Sequence, residues 1–536
     1  MFSRYSAFAL CILITAVGLP TSMFWGAHWL IPGLTALAAA LTLLGVCDLL
    51  QTRHAIQRNY PVIGHVRWMA ELVRPEIRQY LIEADEDAAP YSRSQRSLVY
   101  QRAKGQSGER PFGTLLDVYH NGYEWIAHSN RPIHAPDPAS FRITIGGPQC
   151  RAPYSASVFN ISAMSFGSLS ANAIRALNAG AKRGGFYHDT GEGGISAYHR
   201  EAGGDIVWEL GSGYFGCRND EGRFDPDGFA AQARTEQVKM IEIKLSQGAK
   251  PGHGGVLPAA KVTPEISQTR GVPLGRDCIS PPSHSAFSTP LEMMAFVTQL
   301  RELSGGKPVG FKLCIGHPWE FMGMVKAMLQ TGVRPDFIVV DGTEGGTGAA
   351  PMEFTDHLGA PMREGLLLVH NTLVGAGLRD QIRIGAAGKV VSAFDIASLL
   401  AIGADWANAA RGYMFALGCV QSMSCNTNHC PTGVATQDKL RQNALVVPDK
   451  AERVRQFHDR TVQALADLLA AAGLHHPSEL GPHHLSRRVS ATEIKQFSEI
   501  HAFLEPRELV DGTCIHDFYA RNWKLASAER FEALAN

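Results

Sequence analysis

The sequence predicts a (β/α)8 TIM barrel with helical segments on either side and a hairpin of transmembrane helices in front. Three observations predict it. From near Cys150 to Ala409, a unit of short apolar strand, glycine turn and amphipathic helix repeats along the chain. Alternation sustained this long argues for a parallel barrel rather than a sandwich. Ahead of it, the run from Tyr5 to Cys47 holds no Lys, Arg, Asp or Glu. Over all 536 residues, 45% are apolar and 19% charged, which describes a globular chain too long for one ordinary core. The formal net charge is zero, so no electrostatic case exists for a nucleic-acid partner. These patterns divide the chain into a hairpin at 1–59, a lead-in at 60–145, the barrel at 146–445 and a C-terminal helical segment at 446–536.

A membrane span needs about 20 apolar residues. The charge-free run is too long for one and fits two, Tyr5–Trp25 and Trp29–Leu50, with Gly26-Ala27-His28 as the turn. Phe24, Trp25 and Trp29 cluster there, at the headgroup level that amphipathic rings favour. Arg4 precedes the hairpin and Arg53, His54 and Arg58 follow it. Positive charge at both ends predicts a two-pass protein of the inner (cytoplasmic) membrane, with the remaining chain in the cytoplasm. A cleaved signal peptide with Ala7–Leu19 as its apolar region is the alternative, but no small-x-small site follows before the second apolar run. A buried soluble pair is disfavoured because neither run has a polar face.

The lead-in is polar and Arg-rich, with helical periodicity at Val66–Leu72, Glu76–Ala84 and Ser92–Ala103, then aromatic-rich Phe112–Trp125. A helical segment packed against the barrel is the plain reading. Within the barrel, Val158–Met164, Met240–Lys244, Val309–Leu313, Phe337–Val340, Ile382–Gly385 and Trp406–Ala409 read as strands. Helices are expected at Ser170–Arg183, Pro290–Leu303, Trp319–Thr331, Met362–Ala376 and Ala393–Ile402, and beyond the barrel at Ala451–Ala472 and Ala491–Leu504.

Chemistry-bearing residues fall just after strands. Lys244 and Lys312 each end an apolar strand, and Glu344-Gly345-Gly346-Thr347-Gly348 follows another; glycines there let a ligand approach the backbone. Gly385-Ala386-Ala387-Gly388 and Ala410-Arg411-Gly412 follow the last two strands, where barrels commonly hold a phosphate. A helix starting at Ser392 and Phe394 points its N-terminus at that place. Cys419, Cys425 and Cys430 then form C-x5-C-x4-C with Pro431 after the last. Thiolates so spaced can wrap a soft metal centre, and a proline after the final ligand recurs in iron–sulfur loops. Three thiolates fit a cluster lacking one iron, unless a fourth ligand comes from elsewhere; three buried thiols remain the alternative. The other cysteines are scattered without a disulfide framework, which fits a reducing compartment.

With these segments placed, five motifs carry a resemblance: ISAMSFGSLS at 161–170, HDTGEGG at 188–194, IKLSQGAKPGHGG at 243–255, EGGTGAAP at 344–351 and CPTGVATQ at 430–437. The chain resembles the FMN-binding synthase domain of glutamate synthases, and in particular membrane-anchored glutamate-synthase-like proteins with the same apolar hairpin. The resemblance implies an FMN lying against Met164, Ser165, Gly167 and Ser168, with Gln247, Gly345, Gly346 and Thr347 also on the flavin. Lys312, or second to it Lys244, is the cation expected at the N1/O2 edge. Gly385, Ala387, Gly388, Ala410 and Arg411 would hold the phosphate, and Cys419, Cys425 and Cys430 a 3Fe–4S cluster. Lys250 and Arg270 would contact 2-oxoglutarate, with His284 in the same pocket, and Glu192 would relay protons.

The chain departs from the family at His253 and Val256, where an acidic residue and a glutamine are usual, and in SHSAFST at 283–289. One lost polar contact can alter specificity strongly. Neither the glutaminase domain nor the β-helical domain of the larger enzymes is recognisable, and no G-x-G-x-x-G follows a strand. The expected activity is therefore FMN-dependent reductive amination of 2-oxoglutarate, as an oxidoreductase acting on CH–NH2 donors. Ammonia would come from outside the chain, and electrons from ferredoxin or a membrane-bound carrier. A different oxo acid or amine donor, or a non-catalytic membrane-tethered electron-transfer module, are the alternatives.

Overall fold

The computed structural model describes residues 4–24, 29–52, 54–86, 89–106 and 108–535. They form two compact units, Met1–Arg93 and Ser94–Asn536. The expected turn Gly26-Ala27-His28, together with Trp25, lies outside the described residues.

In the first unit, α1 (Ser6–Phe24) and α2 (Leu30–Leu50) lie against each other. The Thr15 and Thr42 hydroxyls meet at 3.2 Å. Gly18 faces Thr35 and Gly45 faces Phe8 so closely that a Cβ on either would clash, the small-residue packing that apolar helices use. Among the described residues, α2 is the one helix long and apolar enough to cross a membrane by length and composition; the apolar stretch of α1 is shorter. α3 (Gly64–Ile77) follows and continues as a π-helical turn, Arg78–Ile82. This matches the periodicity of the lead-in, and Val66, Met69, Leu72 and Val73 of α3 are left exposed by the rest of this unit.

The second unit is built on a closed parallel barrel of eight strands. They are β1 (Phe159–Ile161), β2 (His188–Asp189), β3 (Ile206–Leu210), β4 (Val238–Lys244), β5 (Val309–Leu313), β6 (Phe337–Asp341), β7 (Arg383–Ala387) and β8 (Trp406–Ala409). β8 closes on β1 through Ala407–Phe159, Asn408–Asn160 and Ala409–Ile161. Alternate strand residues share a face. Tyr187, Val207, Met240, Phe337, Val339 and Trp406 make an apolar layer inside, sealed at the N-terminal end by the hairpin Arg142–Ile145 and Tyr154–Ser157. Two residues further along the same strands stand Asp189, Glu209, Glu242 and Asp341, which make a charged layer nearer the C-terminal rim.

α4 (Ala171–Gly184) returns from β1, and Ser170 caps its N-terminus by accepting from the Ala173 amide. α5 (Ala393–Ala401) returns from β7, and the 26-residue α6 (Val447–Ala472) packs along α4, with Val454 against Gly180. Two expectations fail. Phe112–Trp125 is mostly irregular and ends in a strand, Glu124–Ile126. Ala491–Leu504 is a strand, Ile494–Gln496, followed by the short helix Phe497–Ile500. Both strands pair with Leu485–Arg488 in one small sheet, so cross-strand pairing overrode local helical pattern.

Asp336 ties the N-terminal side of this unit together. It is buried and accepts from the Gly147 and Val309 amides at 2.7 and 2.8 Å and from the Arg301 guanidinium at 3.0 Å. Removing one partner of a buried pair strands the other charge, at a cost of about 3–5 kcal/mol. Asp336→Ala should lower the stability measured by urea unfolding by that amount, whereas a change within error would show the network to be dispensable.

Candidate active site

The loops after β1, β2, β4, β6, β7 and β8 converge at the C-terminal rim, where barrel enzymes carry their reactive groups. Glu192, on the loop after β2, stands at the centre. Lys244, the last residue of β4, brings its ammonium to 3.2 Å from the Glu192 carboxylate, and the Ser280 hydroxyl donates to it at 3.3 Å. A Cβ at Gly255 would lie 1.9 Å from a Glu192 oxygen, so the glycine is required for the carboxylate to sit there. Gly191 takes a left-handed φ of 63°, and a Cβ on it would stand 2.6 Å from the Ser165 amide; this is how the β1 and β2 loops come into contact. Burial alone would raise the Glu192 pKa, but Lys244, Arg270 and Lys250 outweigh it and bring it to about 2.

Lys250 is buried and donates to the Ala349 carbonyl at 3.1 Å; burial and the neighbouring Lys244 lower its pKa, with Glu192 opposing. Arg270 ends the helix Pro264–Arg270, which Thr263 caps. Its guanidinium donates to the Phe166 carbonyl at 2.9 Å and to Ser165 Oγ at 3.3 Å. Its Nε is buried without a hydrogen-bond partner among the described residues. Two ammonium groups and a guanidinium around one ionised carboxylate leave a positive excess, suited to an anion.

Two expected contacts are placed differently. His284 has both ring nitrogens engaged inside the protein. Nε2 lies 2.9 Å from the Lys244 carbonyl and Nδ1 lies 3.0 Å from the Tyr214 hydroxyl. Burial pushes its pKa down to about 4, so the ring is neutral at pH 7. The carbonyl requires a donor, which assigns the proton to Nε2 and makes Nδ1 the acceptor from Tyr214. His284 thus buttresses the strand end that carries Lys244. Lys312 is held inside the barrel by Glu209 and Glu242. Burial opposes its charge, but Glu209, Glu242 and Asp189 raise its pKa well above the ordinary value. Asp189 is pushed up to about 7 by burial and by Glu209, and Glu242 is raised by burial and Asp189. These three carboxyl groups lie close enough to share a metal ion, and the Lys312 ammonium supplies a cation to them from within the chain.

On the opposite side, Gly385 and Ala387 are strand residues below the rim. Gly385 packs against the Trp406 indole, at 2.5 Å from a would-be Cβ, and Ala387 joins the apolar layer. At both positions the side-chain direction is taken up by the barrel interior. Ser392 caps α5, and Asp395 accepts from the Val391 and Ser392 amides at 3.0 and 2.8 Å. Gln247 donates to the Gly346 carbonyl at 3.5 Å across the cleft. Arg411 reaches from beyond Ala410 to the Thr347 carbonyl and to Cys425 Sγ, the latter at 3.7 Å.

The cysteine loop is tightly wound, with Gln421, Met423 and Asn428 at φ 57°, 53° and 65°; strained backbone of this kind clusters at ligand clamps. Cys419 and Cys430 are buried and Cys425 partly so, near enough to interact electrostatically. Burial raises the Cys419 thiol. For Cys430 burial also opposes ionisation, but the Thr432 hydroxyl and the Ala435, Thr432 and Val434 amides outweigh it and hold the thiol below its ordinary value. Hydrogen bonds to sulfur suit a ligated thiolate. Two residues not anticipated from the sequence stitch this loop to the β1 loop. Buried Lys261 donates to the carbonyls of Ser168, Cys425 and Ala435 at 2.8, 3.3 and 3.4 Å. Gln437 donates to those of Gly167 and Leu169 at 3.0 and 2.9 Å. The available signal was Lys261 itself, a lysine in the otherwise apolar VLPAAKV.

Residues 143–475, which include every one of these loops, match the family described as the conserved region in glutamate synthase. The chain belongs to the glutamate synthase family. It is 37% identical over 495 residues to the glutamate synthase large subunit-like protein YerD of Bacillus subtilis (strain 168), covering 85% of this chain and 94% of that one. It is 36% identical over 317 residues to the archaeal glutamate synthase [NADPH] of Methanocaldococcus jannaschii, covering 59% of this chain and 58% of that one. The chain thus spans about half the length of such NADPH enzymes. A crystal structure of mandelate oxidase with (S)-2-phenylpropionate aligns at a TM-score of 0.41 and 14% identity, over 75% of this chain and 98% of that one. Membership in the glutamate synthase family makes the chain an oxidoreductase.

The depressed pKa of Glu192 makes stability depend on pH. Its folded value of about 2 lies below the ordinary 4.5. The stability it contributes is therefore complete above pH 4.5 and is lost as pH falls through 2. Between pH 6 and pH 3 the stability advantage of the wild type over Glu192→Gln should shrink by about 2 kcal/mol in urea unfolding. Parallel profiles would show that Glu192 is not held ionised.

Proposed function

We propose that this protein is a membrane-tethered glutamate synthase-type enzyme that reductively aminates 2-oxoglutarate with ammonia from outside the chain. FMN and a 3Fe–4S cluster are its cofactors, and ferredoxin or a membrane-bound carrier is its electron donor. The observation that carries this reading is the Lys244–Lys250–Arg270 group around ionised Glu192, joined by Lys261 and Gln437 to the three-cysteine loop.

The residues present fit both cofactors. Met164, Ser165, Gly167 and Ser168 would hold the flavin on one side, with Gln247, Gly345, Gly346 and Thr347 on the other. Lys244 supplies a rim cation and Lys312 a second one below it. Gly388, Ala410 and Arg411 would meet the phosphate. Cys419, Cys425 and Cys430 would bind the cluster, with the Cys430 thiol already held below its ordinary value by its hydrogen bonds. When bound, FMN supplies hydride chemistry and the cluster single-electron passage.

Lys250 and Arg270 suit the two carboxylates of 2-oxoglutarate, and the Nε of Arg270, without a hydrogen-bond partner among the described residues, is a donor left for one of them. At a pKa of about 2, Glu192 is a poor base. Its work is to orient an ammonium or iminium nitrogen by accepting from N–H. Lys250, with its pKa lowered, is placed to donate a proton to the oxygen that leaves as water when ammonia condenses with the oxo carbon. α1 and α2 would cross the inner membrane as a pair, with the barrel in the cytoplasm.

A second reading keeps the cofactors and changes the oxo acid or the amine donor. It is favoured by His253, whose ring meets Phe354 edge-on at 5.4 Å beside the Lys250 loop. Anaerobically reconstituted full-length protein should show flavin absorbance and the EPR signal of an oxidised 3Fe–4S centre. Cys425→Ser should abolish the EPR signal and spare the flavin. Reduced donor, 2-oxoglutarate and ammonium should then yield glutamate. No glutamate with fully loaded flavin would sink the substrate assignment, and a panel of oxo acids and amines would identify the second reading. Flavin reduction without turnover on any of them would leave an electron-transfer module.

A further inference from the structure

We propose that α3 and its π-helical continuation lie in the plane of an anionic phospholipid surface, as a second membrane contact beside α2. The proposal rests on the reading of α2 as a span. Its first support is an apolar face that no described residue of its own unit covers. Val66, Met69 and Leu72 are 60%, 66% and 78% exposed, and Val73, Ile77 and Leu81 are exposed with them. Their three- and four-residue spacing places them along one side of the helix. Contiguous apolar exposure of this extent marks an interaction surface.

The second support is charge. Arg67, Arg74 and Arg78 recur at seven- and four-residue spacing, along one flank of the apolar face. Arginines so placed keep their stems on apolar surface and their heads at phosphate oxygens. Glu71 is in salt-bridge range of Arg74 at 3.8 Å, where both are exposed, so this pair is weak. Trp68, which meets the His54 ring edge-on at 5.4 Å, adds an interfacial residue.

The third support is the level at which α3 begins. Asp48, in the last turn of α2, is buried; it accepts from the Val62 amide at 2.9 Å and meets His65 Nε2 at 2.8 Å. Val62 also stands 3.1 Å from a would-be Cβ on Gly45. This clip holds the first turn of α3 beside the end of α2. A 21-residue apolar helix is about 30 Å long, the thickness of the hydrocarbon core, so its end is at the headgroups. There an in-plane amphipathic helix finds lipid tails on one side and phosphates on its flank.

The test places p-benzoylphenylalanine at position 73 or, as a control, at position 71 of the full chain, reconstituted into vesicles of phosphatidylglycerol and phosphatidylcholine. Irradiation should give lipid adducts by mass spectrometry several-fold more often at 73 than at 71. Combining Arg67→Gln, Arg74→Gln and Arg78→Gln should reduce the yield at 73 to that seen in pure phosphatidylcholine. Equal yields at 73 and 71, or adducts at 73 to another copy or to residues 94–536, would overturn the proposal. Carbonate extraction separates it from the span: protein that stays in the vesicles without a lipid adduct at 73 rejects only the α3 contact, whereas protein released by carbonate rejects the span.

Discussion

The ammonium of Lys312 sits against the acid layer inside the barrel, and the geometry of the rim depends on that layer. Glu209 and Glu242 hold Lys312 directly, and Asp189 and Asp341 act on it from further away. Isolated carboxylates in so dry a place would be costly, and burial raises the pKa of Asp189, Glu242 and Asp341 accordingly. Asp189 also accepts from the Gly191 amide at 2.9 Å, and Asp341 from the Gly248 amide at 2.8 Å. Those two amides start the loops that carry Glu192 and Lys250. The charged layer therefore positions both halves of the candidate active site from below.

Above it, the rim is organised by close backbone approach and by buried cations that donate to carbonyls. Gly191 and Gly255 admit the β1 loop and the Glu192 carboxylate into spaces that any side chain would fill. Lys261 and Gln437 then join the β1 loop to the cysteine loop without an intervening carboxylate. Multiple hydrogen bonds to carbonyl oxygens are what make a buried ammonium tolerable. They also leave the two loops little freedom to separate.

Much of this was legible in the sequence. β5, β6 and β8 are apolar runs bounded by turns, and the sequence boundaries lie within one residue of the observed ones. Pro290–Leu303 is a helix with the expected ends. The five motifs all sit on loops of the C-terminal rim. β2 was not legible, because two residues carry no periodicity. The sheet joining Glu124–Ile126, Leu485–Arg488 and Ile494–Gln496 was not either, because its partners lie hundreds of residues apart.

Six of the eight barrel strands, most of the barrel helices, the apolar α2 and the residue types at the rim are properties of local pattern and can be read from the sequence. Which lysine faces the cleft and which the barrel interior was decided only by tertiary structure. Lys244 and Lys312 both occupy strand ends, paired in register. One residue from the end of a strand and the end itself are nearly the same in sequence, yet one points among buried acids and the other meets Glu192. The same holds for His284, whose two ring nitrogens are claimed by Tyr214 and the Lys244 carbonyl. A side chain's partners depend on which distant segments barrel closure brings beside it, and that closure is a property of all eight strands together.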